Sequence, residues 1–178
     1  MANTLLQRSM KTVHVLDIAT KTWFAQSTTI EEGLYPDSTN IRYCSVVASA
    51  EDNSSHNIYL YTGPWNPARS KVFILTLPAF IWVPVYEPEG EAPEDEAHKD
   101  NYLEFLGSPC LKVHEKHMVV YRGLAYDGHD GCDYDKGSKR YQGMQIYDMS
   151  SLMWTTKVEL KNPKYLVPEL LYNIIGGK

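Results

Sequence analysis

The residues most suited to chemistry lie in one short stretch, DGHDGCDYD, from Asp127 to Asp135. Its four Asp, one His and one Cys offer several metal donors, and closely spaced oxygen ligands would suit Ca²⁺. The spacing matches no calcium-binding loop, because no Glu stands where a bidentate ligand is required. We therefore interpret the stretch as a solvated loop, predict no metal or cofactor, and keep Asp127, His129 and Asp130 as candidate binding-loop residues.

A second chemical motif, H-E-K-H, contains His114 and His117. Histidine pairs can bind zinc or copper. A metalloprotease, however, places H-E-x-x-H on a helix, and this spacing is different. The motif is interpreted as a polar hairpin turn.

Two further stretches contain candidate surface residues. In YTGPWNPARSK, Trp65 stands near Arg69, and exposed Trp and Arg side chains often dominate protein contacts. A loop Trp can equally fold back onto its own strands. The triplet Asn53-Ser54-Ser55 is a formal N-glycosylation acceptor, although such triplets are common by chance.

The elements that must position these loops are repeated along the chain. Aligned on a tryptophan, three segments of eleven residues match without gaps: VHVLDIATKTW ending at Trp23, VFILTLPAFIW ending at Trp82 and MQIYDMSSLMW ending at Trp154. Each has an apolar start, a turn-forming centre and an aromatic end, which predicts a strand, a tight turn and a second strand. A pattern that returns in this way indicates a repeat protein.

A second motif alternates with the tryptophan motif along the chain. It is a short apolar segment, predicted as a strand, that ends at Gly63, Gly123 and Gly177. Together the two motifs predict four antiparallel strands per unit, called a, b, c and d, as in a propeller blade. We predict an all-β, single partial propeller over residues 1–178. Its parts are a second half-blade with a linker (12–41), two blades (42–86 and 101–159) and a terminal strand or half-blade (165–178).

Composition excludes some classes of function. The net charge is −5 and no basic run is present, which argues against a nucleic-acid partner. No stretch approaches 18 consecutive apolar residues, so no membrane span is predicted. The first residues lack the apolar region of a signal peptide, so the chain is expected in the cytosol if it is complete as written. The three cysteines form no C-x-x-C pair, which argues against a zinc site.

The strand-b glycines, the spaced Tyr and Trp and the order of strands resemble kelch repeats. The stretch RYCSVVASAEDNSSHNIYLYTG is similar to a blade of the galactose-oxidase-like kelch proteins of filamentous fungi. This resemblance implies a six- or seven-bladed propeller, so the chain is interpreted as a fragment of a longer one. It also implies a non-catalytic module that binds or scaffolds proteins through blade loops. The alternative it leaves is a fragment of a galactose-oxidase-like copper enzyme.

The same resemblance, to proteins with propeller ectodomains, implies a secreted or cell-surface location. In that setting a disulfide between Cys110 and Cys132 is predicted, since both belong to one blade. Such a bond would fix the second b–c loop to strand a.

The repeat pattern also predicts how the units pack together. The three repeat tryptophans are expected to pack between adjacent blades. A propeller needs more blades than this chain holds, and open strand edges promote association. One hypothesis is therefore a two-fold homodimer in which residues 165–178 of each copy complete the N-terminal half-blade of the other.

Overall fold

In a computed structural model, about half of the described residues lie in short strands, and one helix follows them. The structure describes residues 10–33, 35–36, 43–62, 72–86, 104–106, 109–121, 124–126, 144–159, 161 and 164–175. The elements in chain order are β1 (Thr12–Asp17), β2 (Thr22–Ser27), β3 (Thr29–Ile30), β4 (Cys44–Ser49), β5 (His56–Tyr61), β6 (Val72–Leu77), β7 (Ile81–Val85), β8 (Glu104–Leu106), β9 (Cys110–Val113), β10 (His117–Tyr121), β11 (Leu124–Tyr126), β12 (Met144–Asp148), β13 (Met153–Thr155) and α1 (Glu169–Ile175).

Strands β4 to β7 form the first blade, in which each strand pairs antiparallel with the next in the chain. Strand β6 is buried on both faces, with Val72 and Ile74 on one side and Phe73 and Leu75 on the other. A continuous apolar run is expected where both faces of a sheet are covered. The first blade is therefore an inner layer of the molecule, and β3 extends its outer edge parallel to β7.

Strands β9, β10, β12 and β13 form the second blade with the same a–b–c–d order. Both blades are thus four-stranded antiparallel meanders, which confirms the predicted fold class. In the part of the chain that the structure describes, the sheets form two neighbouring blades, the hairpin β1–β2 and a small two-stranded sheet of β8 and β11. These described strands do not close into a ring.

The hairpin β1–β2 repeats the last two strands of a blade. In all three c–d turns, the residue two positions before the tryptophan has a left-handed backbone: Lys21 at φ 55°, Phe80 at φ 57° and Leu152 at φ 59°. A non-glycine residue rarely adopts this conformation. Its occurrence at one equivalent position in three turns shows that the sequence repeat is a structural repeat.

Aspartates stabilise the first and third of these turns. One carboxylate oxygen of Asp17 accepts two backbone N–H groups at 2.9 and 3.3 Å, and Asp148 does the same at 2.9 and 3.2 Å. Such bonds from Asp to the following backbone are a common way to fix a turn. Thr76 takes the same position in the middle turn, where its backbone carbonyl accepts the N–H of Phe80 at 2.7 Å.

The larger core lies between the two blades. Trp154 of the second blade packs edge-to-face on Tyr61 of the first blade, with ring centroids 5.7 Å apart, and on Tyr147 of its own blade at 5.0 Å. Tilted aromatic pairs at these distances are favourable beyond the area they bury. The two blades therefore share one core.

The smaller core lies on the opposite face of the first blade. Trp82 is 4% exposed there, beside Phe73 and Leu75, and its indole N–H donates to the carbonyl of Met10 at 3.0 Å. Val13 of the N-terminal hairpin packs against the same cluster. This core joins the hairpin to the first blade.

Each blade tryptophan thus faces the repeat that precedes it. Trp154 faces the first blade and Trp82 faces the N-terminal hairpin, so the predicted packing between repeats is seen at both. Trp23 differs, because it lies on the face of its hairpin opposite to Val13 and is 65% exposed. Within the described residues, no preceding repeat packs on Trp23.

The C-terminal segment corrects one prediction. The terminal strand predicted within residues 165–178 is wrong, because Glu169–Ile175 forms a helix. The carbonyl of Pro168 accepts the N–H groups of Leu171 and Tyr172 as the helix begins. The exchanged-terminus homodimer required a strand here, so the structure removes the basis of that hypothesis.

Candidate binding end of the two blades

The two blades have two chemically different ends. Strands b finish, and strands c begin, at what we call the loop end, where residues 62–71 connect β5 to β6 and residues 122–143 connect β10 to β12. The a–b and c–d turns lie at the opposite, turn end. The predicted binding residues belong to the loop-end connections, and all of them lie outside the described residues: Trp65, Arg69, Asp127, His129 and Asp130. The repeat glycines Gly63, Gly123 and Gly177 also lie outside them.

A disulfide joins the two blades at the loop end. Cys44 begins β4 opposite Tyr61, and Cys110 begins β9 opposite Val120. Their Cα atoms are 5.6 Å apart and their sulfurs are bonded. The predicted Cys110–Cys132 bond is therefore wrong, because Cys110 already has a partner in the neighbouring blade. The bond therefore joins the two blades close to where both loop-end connections begin.

A small separate sheet is formed by the two short strands that lie, in sequence, on either side of β9 and β10. Strand β11 pairs antiparallel with β8, with Leu124 opposite Leu106 and Tyr126 opposite Glu104. β11 opens the b–c connection, and β8 comes from the segment between the blades. The backbone ladder thus pairs Tyr126, the residue before Asp127, with the segment between the blades. These two strands, each three residues long, were not predicted from the sequence.

The turn end contains a buried network of hydrogen bonds instead. The phenol of Tyr59 donates to the carbonyl of Met149 at 2.6 Å and lies 2.9 Å from the phenol oxygen of Tyr165. The side-chain amide of Asn57 donates to the same Tyr165 oxygen at 3.1 Å. These residues come from the first blade, the second blade and the C-terminal segment, so the network ties three parts of the chain together.

Both phenols of this network stay neutral at ordinary pH. Burial and, to a smaller extent, the neighbouring Tyr165 raise the pKa of Tyr59 well above its usual value of 10.0. Burial raises the pKa of Tyr165 to about 12. A buried phenol that stays protonated can donate a hydrogen bond but is a poor base. The network is therefore best suited to holding the C-terminal segment in place.

Replacing Tyr165 by Phe tests the network. The substitution removes the hydroxyl that accepts from Asn57 and pairs with Tyr59, and it leaves buried polar groups without that partner. We expect a loss of about 1–3 kcal/mol in the free energy of unfolding, measured by denaturant titration. Tyr172→Phe is the matched control in the same segment, because its ring is 40% exposed. Equal losses for the two variants would contradict this role for the Tyr165 hydroxyl.

The H-E-K-H motif forms the a–b turn of the second blade, where a hairpin turn was predicted. His114 is exposed with φ 53°, whereas His117 is 1% exposed. The imidazole of His117 lies 4.0 Å from the carboxylate of Asp148. The two histidines therefore do not share one exposed site.

Lysine and carboxylate charges surround His117. Lys116 pairs with Asp148 at 3.0 Å and with Glu159 at 2.5 Å. Burial lowers the pKa of His117, which outweighs the opposite influence of Asp148. Burial alone would raise the pKa of Asp148, but hydrogen bonds from Lys116 and from the turn backbone hold it below 3.8. At neutral pH the group thus contains a neutral imidazole beside a charged pair.

This arrangement predicts a dependence of stability on pH. The unfolded chain binds a proton at His117 near pH 6.5, while the folded chain binds it only at lower pH. The unfolded state then holds more protons, so the free energy of unfolding falls as pH drops below about 6.5. The thermal midpoint should fall with it. His117→Asn, which copies Asn57 at the equivalent position, should reduce this slope. An unchanged slope in the variant would show that other groups cause it.

Two other features are absent from the described residues. They contain no group of three or more His, Cys, Asp and Glu side chains arranged to hold a metal ion. They also contain no helix with the length and apolar character needed to cross a membrane.

Comparison with known proteins supports the repeat assignment. No family model matches the chain. The chain is 27% identical, over 196 aligned positions, to a kelch repeat-containing protein of Arthroderma benhamiae. The alignment covers 94% of this chain but only 26% of that relative, so the chain spans about a quarter of its length. This similarity and the four-stranded blades confirm the resemblance to kelch-repeat proteins.

Proposed function

We propose that this chain is a non-catalytic, kelch-type protein-interaction module that contacts a protein partner through its loop end. The observation that carries the proposal is the covalent and packed junction of the two blades. The Cys44–Cys110 bond and the core between the blades hold the strands that flank both b–c connections on one scaffold. Variable connections on a rigid scaffold are the usual place for recognition.

We further propose that the chain is one section of a longer propeller. Two faces support this. Trp23 is 65% exposed, although its equivalents Trp82 and Trp154 pack on a preceding repeat. Tyr121 is 58% exposed, although its equivalent Tyr61 packs on the following blade. Further blades at both faces would bury these aromatic rings, and the chain matches only 26% of its relative.

Binding should depend on the loop end and not on the turn end. The experiment uses the immobilised full chain and cross-linking mass spectrometry to identify captured proteins, and then measures the affinity of one of them for purified variants. Trp65→Ala combined with Arg69→Ala should weaken binding about tenfold or more, as expected for contact hot spots. Asp127→Ala combined with Asp130→Ala tests the second connection in the same way.

A matched control lies at the turn end. Glu51 is exposed there, and its carboxylate pairs only with the exposed Lys164 among the described residues. Glu51→Ala should leave the affinity unchanged. If Glu51→Ala weakens binding while the loop-end variants bind like wild type, the proposed surface is wrong.

The copper-enzyme alternative gives a different result in a separate measurement. A galactose-oxidase-like site would hold one copper ion per chain with tyrosine and histidine ligands. The proposal expects far less than one copper per chain after purification and incubation with copper followed by dialysis. A tightly held equivalent of copper would overturn the non-catalytic assignment.

A further inference from the structure

The a–b turn of the first blade carries an insertion that the second blade lacks. Residues 50–55 connect β4 to β5, whereas residues 114–116 connect β9 to β10. Within the longer turn, the N–H of Asn53 donates to the carbonyl of Ala50 and the N–H of Ser54 donates to the carboxylate of Asp52, both at 2.9 Å. These bonds make the insertion a defined projection from the turn end.

Asn53 is at the tip of this projection. It is exposed, and its φ of 57° is a left-handed conformation that Asn tolerates better than most residues. Its neighbours Glu51, Asp52 and Ser54 are exposed as well. The side chain of Asn53 therefore has open solvent around it, with room for a large attached group.

The sequence at this tip is an N-glycosylation acceptor. Asn53-Ser54-Ser55 is the only Asn-X-Ser or Asn-X-Thr triplet in the chain. The Cys44–Cys110 disulfide is an independent observation, because such bonds persist in the oxidising compartments where N-glycans are also attached. We propose that Asn53 is an N-glycosylation site.

The reaction transfers an oligosaccharide from a polyprenyl pyrophosphate donor. A bond forms between Nδ2 of Asn53 and C1 of the first sugar, while the bond from C1 to the pyrophosphate oxygen breaks. The amide nitrogen loses one proton, and the polyprenyl pyrophosphate leaves. No electron is gained or lost.

The folded turn also fixes when this transfer takes place. The acceptor triplet includes the hydroxyl of Ser55, but Ser55 is 2% exposed. Its hydroxyl accepts from the amide of Asn57 at 3.5 Å, and its carbonyl accepts the N–H of Ala50 at 2.9 Å. The triplet is thus accessible to a transferase only before this turn closes, so glycosylation precedes folding of the first blade.

The glycan position is compatible with the proposed binding surface. Asn53 is at the turn end, while the connections 62–71 and 122–143 leave at the loop end. A glycan there would shield the turn end and leave the loop end accessible. The glycosylation proposal does not depend on the binding proposal, and either can fail without the other.

The test directs the full chain into the secretory pathway of a yeast host. We expect the purified chain to carry one glycan, seen as a gel shift that peptide N-glycosidase removes. When the enzyme acts in heavy-oxygen water, the peptide containing Asn53 should gain the mass of an Asn-to-Asp conversion with one heavy oxygen. Chain refolded without a glycan should remain unmodified when it is incubated with the transferase and its donor.

Two variants make the result specific. Asn53→Asp keeps the size of the side chain and should abolish the shift, whereas Ser54→Ala keeps the acceptor triplet and should retain it. Thermal midpoints of the two variants, after removal of the glycan, check that both are folded. The proposal is overturned if chain recovered from the lumen or the medium, with the Cys44–Cys110 bond formed, carries an unmodified Asn53.

Discussion

Replacing Trp82 by Ala should lower the free energy of unfolding by about 3–5 kcal/mol, the range seen when large buried aromatic side chains are truncated. Trp82 is 4% exposed in the smaller core, and its indole N–H donates to the carbonyl of Met10. Alanine would leave a cavity between the first blade and the N-terminal hairpin. It would also remove the hydrogen bond that anchors residue 10. A fall of roughly 10 °C in the thermal midpoint is expected for a chain of this size.

Trp23→Ala is the matched control for this prediction. The two tryptophans hold the same position in the repeat, but Trp23 is 65% exposed. Its truncation should change the free energy of unfolding by about 0.5 kcal/mol or less. If both variants lose similar stability, repeat position and not burial determines the effect, and the arrangement of the two cores described above is wrong.

The repeat made much of the fold predictable from sequence. Three tryptophans at one position in aligned segments located the c–d hairpins, and the structure gives them the same turn, with a left-handed residue two positions earlier. Periodic apolar residues located strands a and b of both blades. These features depend on neighbours in the sequence, so local patterns were sufficient to find them.

The C-terminal helix was missed because its sequence is locally ambiguous. A short apolar run such as YNII fits a strand or a helix equally well. Tertiary contacts decide between strand and helix here. The Tyr165 hydroxyl is hydrogen-bonded to Asn57, which is 108 residues away, and Leu171 is fully buried in the core between the blades. No local pattern contains that contact. The short β8–β11 ladder was missed for the same reason.

The candidate binding end was predictable only in outline. The spacing of the repeats placed the two b–c connections, since insertions in repeat proteins collect in loops. Cysteine pairing was not predictable in this way, because three cysteines allow three pairings and spacing does not choose among them. The correct pairing follows from the structure, in which strand a of the first blade begins beside strand a of the second. The two cysteines that begin these strands are 66 residues apart in sequence.

Removing the bond between the blades should have an effect as large as the loss of Trp82. The Cys44–Cys110 bond spans 66 residues, and in the chain-entropy description a loop of this length stabilises the folded state by about 4 kcal/mol. The double variant Cys44→Ser and Cys110→Ser should lose this amount in a denaturant titration. Wild type should fall to the value of the double variant when reductant is added, and the double variant should not respond to reductant.

Cys132→Ser separates this pairing from the one predicted from sequence. Because Cys110 is bonded to Cys44, the Cys132 variant should keep wild-type stability and its response to reductant. Non-reducing peptide mapping should recover the peptide of Cys44 linked to that of Cys110. A peptide of Cys110 linked to that of Cys132, with stability lost in Cys132→Ser, would contradict the pairing. It would also remove the covalent link between the blades at the loop end, leaving the core packing alone to hold the two b–c connections together.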